Sequence, residues 1–175
     1  MGPLVSLLHR DRVHGFVERA VADGAKVRVG GSVPDRVGAY YLPTLITDAR
    51  QDSQIVQEEV FGPVLVALPF DSDEDGFAAA ADTPYGLAAS VWTQNLYRAN
   101  LATRRLRAGT VWVNDHVPII SEMPHGGFGA SGFGKDMSVY SLQEYTVVKH
   151  VMSDNTGVSK KDWHRTIFDL SRDRH

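Results

Sequence analysis

The chain has 175 residues, 43% hydrophobic and 22% charged, which is enough for one buried core and at most a small appendage. Its formal net charge of −3, from 18 basic and 21 acidic residues, lacks the basic excess that phosphate neutralisation needs, so nucleic acid is not the expected partner; no apolar run approaches the roughly 20 residues of a membrane span. There is no cysteine, which removes disulfides, zinc–thiolate sites and any cysteine nucleophile; that fits a cytoplasmic chain, as does the absence of a basic-then-apolar leader after Met1.

Val13, Phe16, Val17, Ala20 and Val21 form one stripe at helical spacing, and Gly24 offers a left-handed stop. Lys26-Val27-Arg28-Val29 alternates as a short strand, residues 30–38 are a polar turn region, and residues 40–47 are extended with a bend at Pro43. Val64-Leu65-Val66-Ala67-Leu68 is a continuous apolar run, the pattern of a strand buried on both faces. Asp71 or Ser72 caps a helix that runs to Ala81 and ends at Thr83-Pro84. A second apolar run over 87–93 follows, then a helix capped by Asn95 and closed by Gly109, then the strand Thr110-Val111-Trp112-Val113-Asn114. Strands alternating with helices over short connections predict the α/β class, an open and mostly parallel sheet with flanking helices. Regular structure should stop between Gly126 and Gly134. Residues 145–152 alternate as a late strand that could pair outside this unit. Trp163, Ile167 and Leu170 suggest a tail helix docking by its apolar side.

Four motifs carry possible chemistry. In Glu58-Glu59-Val60-Phe61-Gly62-Pro63 a carboxylate could accept two hydrogen bonds from a ribose diol and a phenyl ring could pack on a planar heterocycle; an ordinary acidic turn is the alternative. Gly127-Phe128-Gly129-Ala130-Ser131-Gly132 satisfies the G-x-G-x-x-G dinucleotide fingerprint, but Glu122-Met123-Pro124-His125 before it is poor strand sequence, so a glycine-rich loop is the better reading. None of the seven histidines has metal-ligand spacing, so no metal is expected; His125 could sit in a site, whereas His9, His14 and His164 read as surface residues. Trp112-Val113-Asn114-Asp115-His116 lies at the carboxyl end of a predicted strand, where open α/β sheets bind ligands; it serves equally well as core plus a turn.

Taken in order, these segments resemble the aldehyde dehydrogenase superfamily. The resemblance rests on Met1-Gly2-Pro3-Leu4-Val5-Ser6 with Arg12-Val13, on Tyr41-Leu42-Pro43-Thr44-Leu45, and on the Glu58 to Pro63 motif. It continues in Tyr85-Gly86-Leu87-Ala88-Ala89, Gly109 to Asn114, Gly126-Gly127 with Ser131-Gly132, and Tyr145-Thr146, and covers residues 1 to about 152. The stretch from Asn114 through Ile119-Ile120-Ser121-Glu122-Met123-Pro124-His125-Gly126-Gly127 to Gly134-Lys135-Asp136-Met137 resembles the aminobutyraldehyde dehydrogenase branch.

The resemblance implies a mechanism in which a cysteine attacks the aldehyde, hydride passes to NAD or NADP, and water hydrolyses the thioester with help from a glutamate base. It implies that Glu59 holds the nicotinamide ribose hydroxyls and Phe61 packs near the nicotinamide. Asn114, Asp115, Glu122 and His125 would flank an aldehyde tunnel, with Glu122 facing the ammonium end of a substrate such as 4-aminobutanal. It further implies a homo-oligomer whose association surface includes 144–152, between a partial catalytic domain over 1–143 and a polar tail over 153–175.

Departures accompany these matches. The nucleophile is absent with cysteine, the dinucleotide-binding domain and base glutamate belong to sequence upstream of Met1, and Ala130 stands where the family often has lysine. The chain is therefore expected to be a C-terminal fragment, inactive alone. A non-catalytic remnant, or an association module using the family's oligomerisation surface, is the alternative.

Overall fold

The computed structural model describes residues 1–159 and 161–167. The chain is α/β, built in the order α1 (Leu7–Ala22), β1 (Lys26–Val29), β2 (Thr44–Thr47), α2 (Gln54–Gln57), β3 (Val64–Val66), α3 (Asp73–Ala81), β4 (Ala88–Val91), α4 (Leu96–Arg105), β5 (Thr110–Val113), α5 (Ser138–Glu144) and α6 (His164–Ile167).

Helix α1 starts where Ser6 turns its hydroxyl onto the His9 amide (3.1 Å) and stops where Gly24 takes φ +98°. Four residues of its expected stripe floor the main core: Val13, Phe16, Val17 and Ala20 pack with Ala25, Tyr41, Ile46 and Ile55, Val13 and Ile46 are fully buried, and Val21, at the edge of the stripe, is exposed. Burying one such side chain stabilises the fold by about 1.5–3 kcal/mol, so this cluster holds the first half of the chain together. The N-caps expected for α3 and α4 are observed, Ser72 accepting from the Asp75 amide (3.2 Å) and Asn95 from the Arg98 amide (3.0 Å).

Parallel pairing is present, β2 with β3 and β4 with β5, but it falls into two sheets. The first has the order β1-β2-β3 with β1 antiparallel to β2; the second is β4-β5. The apolar run at β3 is therefore not buried on both faces. Leu65 is 66% exposed, because no described element covers that side of a strand lying at a sheet edge.

After the glycine-rich segment a short helix, α5, forms. Residues 145–152 have no ladder partner among the described residues and are not a strand within this chain, with Tyr145, Val147, Val148, Val151 and Met152 all exposed; the expected strand would need pairing outside this unit. In the tail, α6 leaves Trp163 and Ile167 exposed, so among the described residues the expected docking by these side chains is not seen; Leu170 lies outside the described residues. No helix among the described residues is long and apolar enough to cross a membrane.

Candidate cofactor and substrate site

The turn between α2 and β3 carries the paired carboxylates, and the fold treats them differently. Gln54 Nε2 donates to both oxygens of Glu58 (3.1 and 3.2 Å), tying that side chain back along α2. Glu59 is exposed and has no hydrogen-bond or ion-pair partner among the described residues. It borders, as Glu58 does, a cleft of about 410 Å³ shared with Tyr85, Leu87, Ala88, Arg107 and Ser131. A carboxylate left with all its acceptor positions open beside a cleft can take hydroxyl donors from a ligand.

Phe61 adopts φ +55° and leaves its ring 70% exposed. Left-handed backbone at a non-glycine residue costs about 1–3 kcal/mol and persists only where neighbours over-determine it. Here α1 supplies the neighbours. His9 Nε2 donates to the Phe61 carbonyl (2.7 Å), and a Cβ on Gly62 would stand 2.7 Å from a Val13 methyl. Downstream, Thr44 N donates to Pro63 O (2.8 Å) and sets the entry to β3. The ring is thus pushed outward by a backbone clamped on both sides. Sequence reasoning missed His9 by starting the α1 stripe at Val13; His9 is one helical turn earlier on the same face.

The glycine-rich loop is no phosphate cradle. Gly129–Ser131 form a single 3-10 turn in which Phe128 N donates to Gly86 O, Ala130 N to Pro84 O, Ser131 N to Phe128 O and Gly132 N to Gly129 O. Those amides are spent on the fold, and Ser131 Oγ accepts from Gly86 N (3.1 Å). The loop fastens residues 84–86 beside the start of β4. Gly129 permits this closeness, since it takes φ +59° and a Cβ there would stand 2.5 Å from the Pro84 carbonyl oxygen.

At the end of β5, Asn114 sits at φ +55° with its amide clasped to Thr93. Asp115 Oδ1 accepts from His116 N (2.8 Å), His116 Nδ1 lies 2.6 Å from Ser90 Oγ, and Trp112 Nε1 donates to Pro118 O (3.0 Å). These bonds fold the following loop back over β5. A cleft of about 420 Å³ results, lined by Trp112, Pro118, Ile119, Ile120, Met123 and His125 among others. His125 is half-buried, bridges Asp136 through its backbone and lies 3.4 Å from Thr110 Oγ1. Asn114, Asp115 and Glu122 do not line this cleft; Glu122 is exposed and accepts from Ser121 Oγ (3.2 Å). The lead-in to β5 thus borders two clefts, through Ala108 the one that reaches Glu59 and through Gly109 the one that reaches His125. No cluster of metal-ligating side chains occurs among the described residues.

Comparison with known proteins decides the family. The aldehyde dehydrogenase family model matches residues 1–151. The chain belongs to the aldehyde dehydrogenase family. It is 43% identical over 166 residues to a betaine aldehyde dehydrogenase of Bacillus subtilis, covering 93% of this chain and 34% of that protein. It is 40% identical to the putative aldehyde dehydrogenase DhaS of the same organism, over 86% of this chain and 30% of that one. Among solved structures, an NAD+ complex of Bacillus cereus aldehyde dehydrogenase superposes with TM-score 0.83 at 44% identity, over 85% of this chain and 30% of that one. A Staphylococcus aureus betaine aldehyde dehydrogenase variant in complex with NAD+ does so with TM-score 0.84 at 37% identity, over 93% and 34%. This aldehyde dehydrogenase chain thus spans about a third of the length of its relatives.

Proposed function

We propose that this chain is the C-terminal third of an NAD(P)-dependent aldehyde dehydrogenase that oxidises aldehydes to carboxylic acids. The observation that carries this reading is the Glu59–Phe61 turn, an unpartnered carboxylate beside a cleft and an outward-held aromatic ring two residues later. Both suit the nicotinamide–ribose end of the cofactor: Glu59 would accept from the ribose hydroxyls, and Phe61 would offer its ring to the nicotinamide. Bound NAD would serve as hydride acceptor. The remaining duties of this chain are to orient that end of the cofactor and to wall the aldehyde's approach with the apolar loop after Asn114.

Aminoaldehydes such as 4-aminobutanal are the proposed substrate class. A cationic nitrogen entering a partly dry cleft needs a carboxylate or an aromatic face to offset its lost hydration, and Trp112, Asp115 and Glu122 lie on or beside the second cleft's loop. That the relatives include enzymes named for betaine aldehyde is compatible with a cationic substrate.

The test joins this chain to the remaining two-thirds of the Bacillus subtilis betaine aldehyde dehydrogenase and follows NADH formation. The joined protein should oxidise aldehydes, while the 175-residue chain, having no cysteine, should give none above background. A folded joined protein without activity would count against the reading. Glu122→Gln in it should weaken use of 4-aminobutanal by about 1–3 kcal/mol and spare a neutral aliphatic aldehyde. Equal effects on both would remove Glu122 from the site.

A further inference from the structure

We propose that His9 is a positioning residue for Phe61, acting across 52 positions of sequence through the hydrogen bond from its Nε2–H to the Phe61 carbonyl (2.7 Å). The proposal rests on the reading of Phe61 as the ring beside the nicotinamide.

The geometry of α1 leads to it. Ser6 caps the helix on the His9 amide itself, so the first turn is fixed where the imidazole departs. From there the ring reaches the one carbonyl whose residue holds a left-handed φ without being glycine in the α2–β3 connection. From a left-handed φ, the rotation that sets the carbonyl also aims the Cα–Cβ bond, so capturing the carbonyl restricts the directions open to the phenyl ring. The neighbouring Gly62 cannot relax the turn, being wedged against Val13 one helical turn beyond His9. Helix α1 therefore meets the motif at two points: Val13 sets its depth and His9 its rotation.

Because a carbonyl only accepts, the bond requires a proton on Nε2, as in the Nε2–H tautomer or in imidazolium. Asn and Gln differ as substitutes: the Gln amide nitrogen extends to about the position of Nε2, whereas that of Asn ends nearer Nδ1.

The test places a single 4-fluorophenylalanine at position 61 of the chain and compares its ¹⁹F spectrum across variants at position 9. The native chain should give one resonance. His9→Ala should broaden or split it, with a second ring conformer rising to about a tenth of the population or more, the upper end of ordinary minor states. His9→Gln should restore one resonance. If His9→Ala lost the helical circular dichroism, His9→Phe, which fills the space without a donor, would be read in its place. An unchanged spectrum in the donor-less variant, or splitting in His9→Gln equal to that in His9→Ala, would overturn the proposal. The cofactor role is separated in the joined enzyme. There His9→Ala should raise KM for NAD about fivefold to thirtyfold with a smaller effect on kcat, and should add nothing in a Phe61→Ala background. If Phe61→Ala itself left KM for NAD unchanged, the cofactor reading would fall and His9 would lose its functional role, whatever the ¹⁹F result.

Discussion

Asn114 spends its whole side-chain amide on one residue: Oδ1 accepts from Thr93 N at 2.7 Å and Nδ2 donates to Thr93 O at 2.9 Å. The pair closes the carboxyl ends of β4 and β5 against each other just beyond their last paired residues, Val91 and Val113. Asparagine suits the place twice over, by this clasp and by its tolerance of φ +55°. Asn114→Gly should lose only the clasp, about 1–2 kcal/mol, whereas Asn114→Ala should lose the clasp and add backbone strain. Urea unfolding monitored by Trp fluorescence orders the three proteins; an alanine variant as stable as the native chain would show the clasp to be idle.

Much of this was readable beforehand, and the unreadable part has a physical pattern. Caps such as Ser72 and Asn95 and the stripe from Val13 to Ala20 are local signals, and the helices they announce are present. Apolar runs say that a strand wants cover without saying which chain provides it. Hence Leu65 and Val147-Val148 misled, being apolar in sequence and exposed in this chain. The motif alone leaves two carboxylates and the family resemblance points to Glu59; the fold adds the physical difference, since Gln54 occupies Glu58. His9 shows the converse loss: a polar residue continuing an apolar stripe reads as surface, though its ring bonds the carbonyl of a residue 52 positions away.

Tyr41 gives the fold an alkaline limit. Its phenol is held up at about 12 by burial first and by the nearby Glu18 charge second, and its hydroxyl lies 3.0 Å from His14 Nδ1. A phenol whose folded value exceeds the unfolded one, near 10, stabilises the fold fully below that pH and loses the contribution as pH rises toward 12. Tyr41→Phe should cost about 1 kcal/mol at neutral pH through the lost hydrogen bond. It should also flatten the decline of melting temperature above pH 10. A variant that melts with the native pH profile would contradict this.

Acid should act through the ion pairs that join elements. Arg105 binds Glu74 in a two-point pair between α4 and α3, and this hydrogen bonding, with the arginine charge behind it, holds the Glu74 carboxyl below its ordinary value. The hydrogen bond from Lys26, with the charges of Lys26 and Arg28, does the same for Asp48 after β2. Carboxylates depressed in the folded state stabilise it above their unfolded value, about 4, and lose that contribution as pH falls through the folded one. Melting temperature should therefore hold down to about pH 5 and fall below about pH 4. Glu74→Gln should shrink the acid step, and high salt should shrink it too, because these groups are exposed. An identical acid limb in Glu74→Gln would remove the pair from the account.

The uncovered apolar segment predicts association. Val147, Val148, Val151 and Met152 have no cover within the described residues, and exposed β-branched backbone without a ladder partner is a template for pairing. Sedimentation velocity should show self-association rising with concentration, reduced when the chain is ended after Glu144. A monodisperse monomer across the range would show that the segment needs no partner.

The most direct measurement is the steady-state kinetics of Glu59→Gln in the joined enzyme, with NAD varied. The substitution keeps the shape and removes the charge, weakening hydrogen bonds to a charged acceptor worth roughly 1.5–3 kcal/mol. Cofactor handling, read as KM for NAD or as the hydride-transfer rate, should suffer about tenfold or more, while Glu58→Gln, whose carboxylate is already engaged by Gln54, should change it little. Glu59→Gln kinetics indistinguishable from the unsubstituted protein would contradict the assignment of this turn to the nicotinamide ribose.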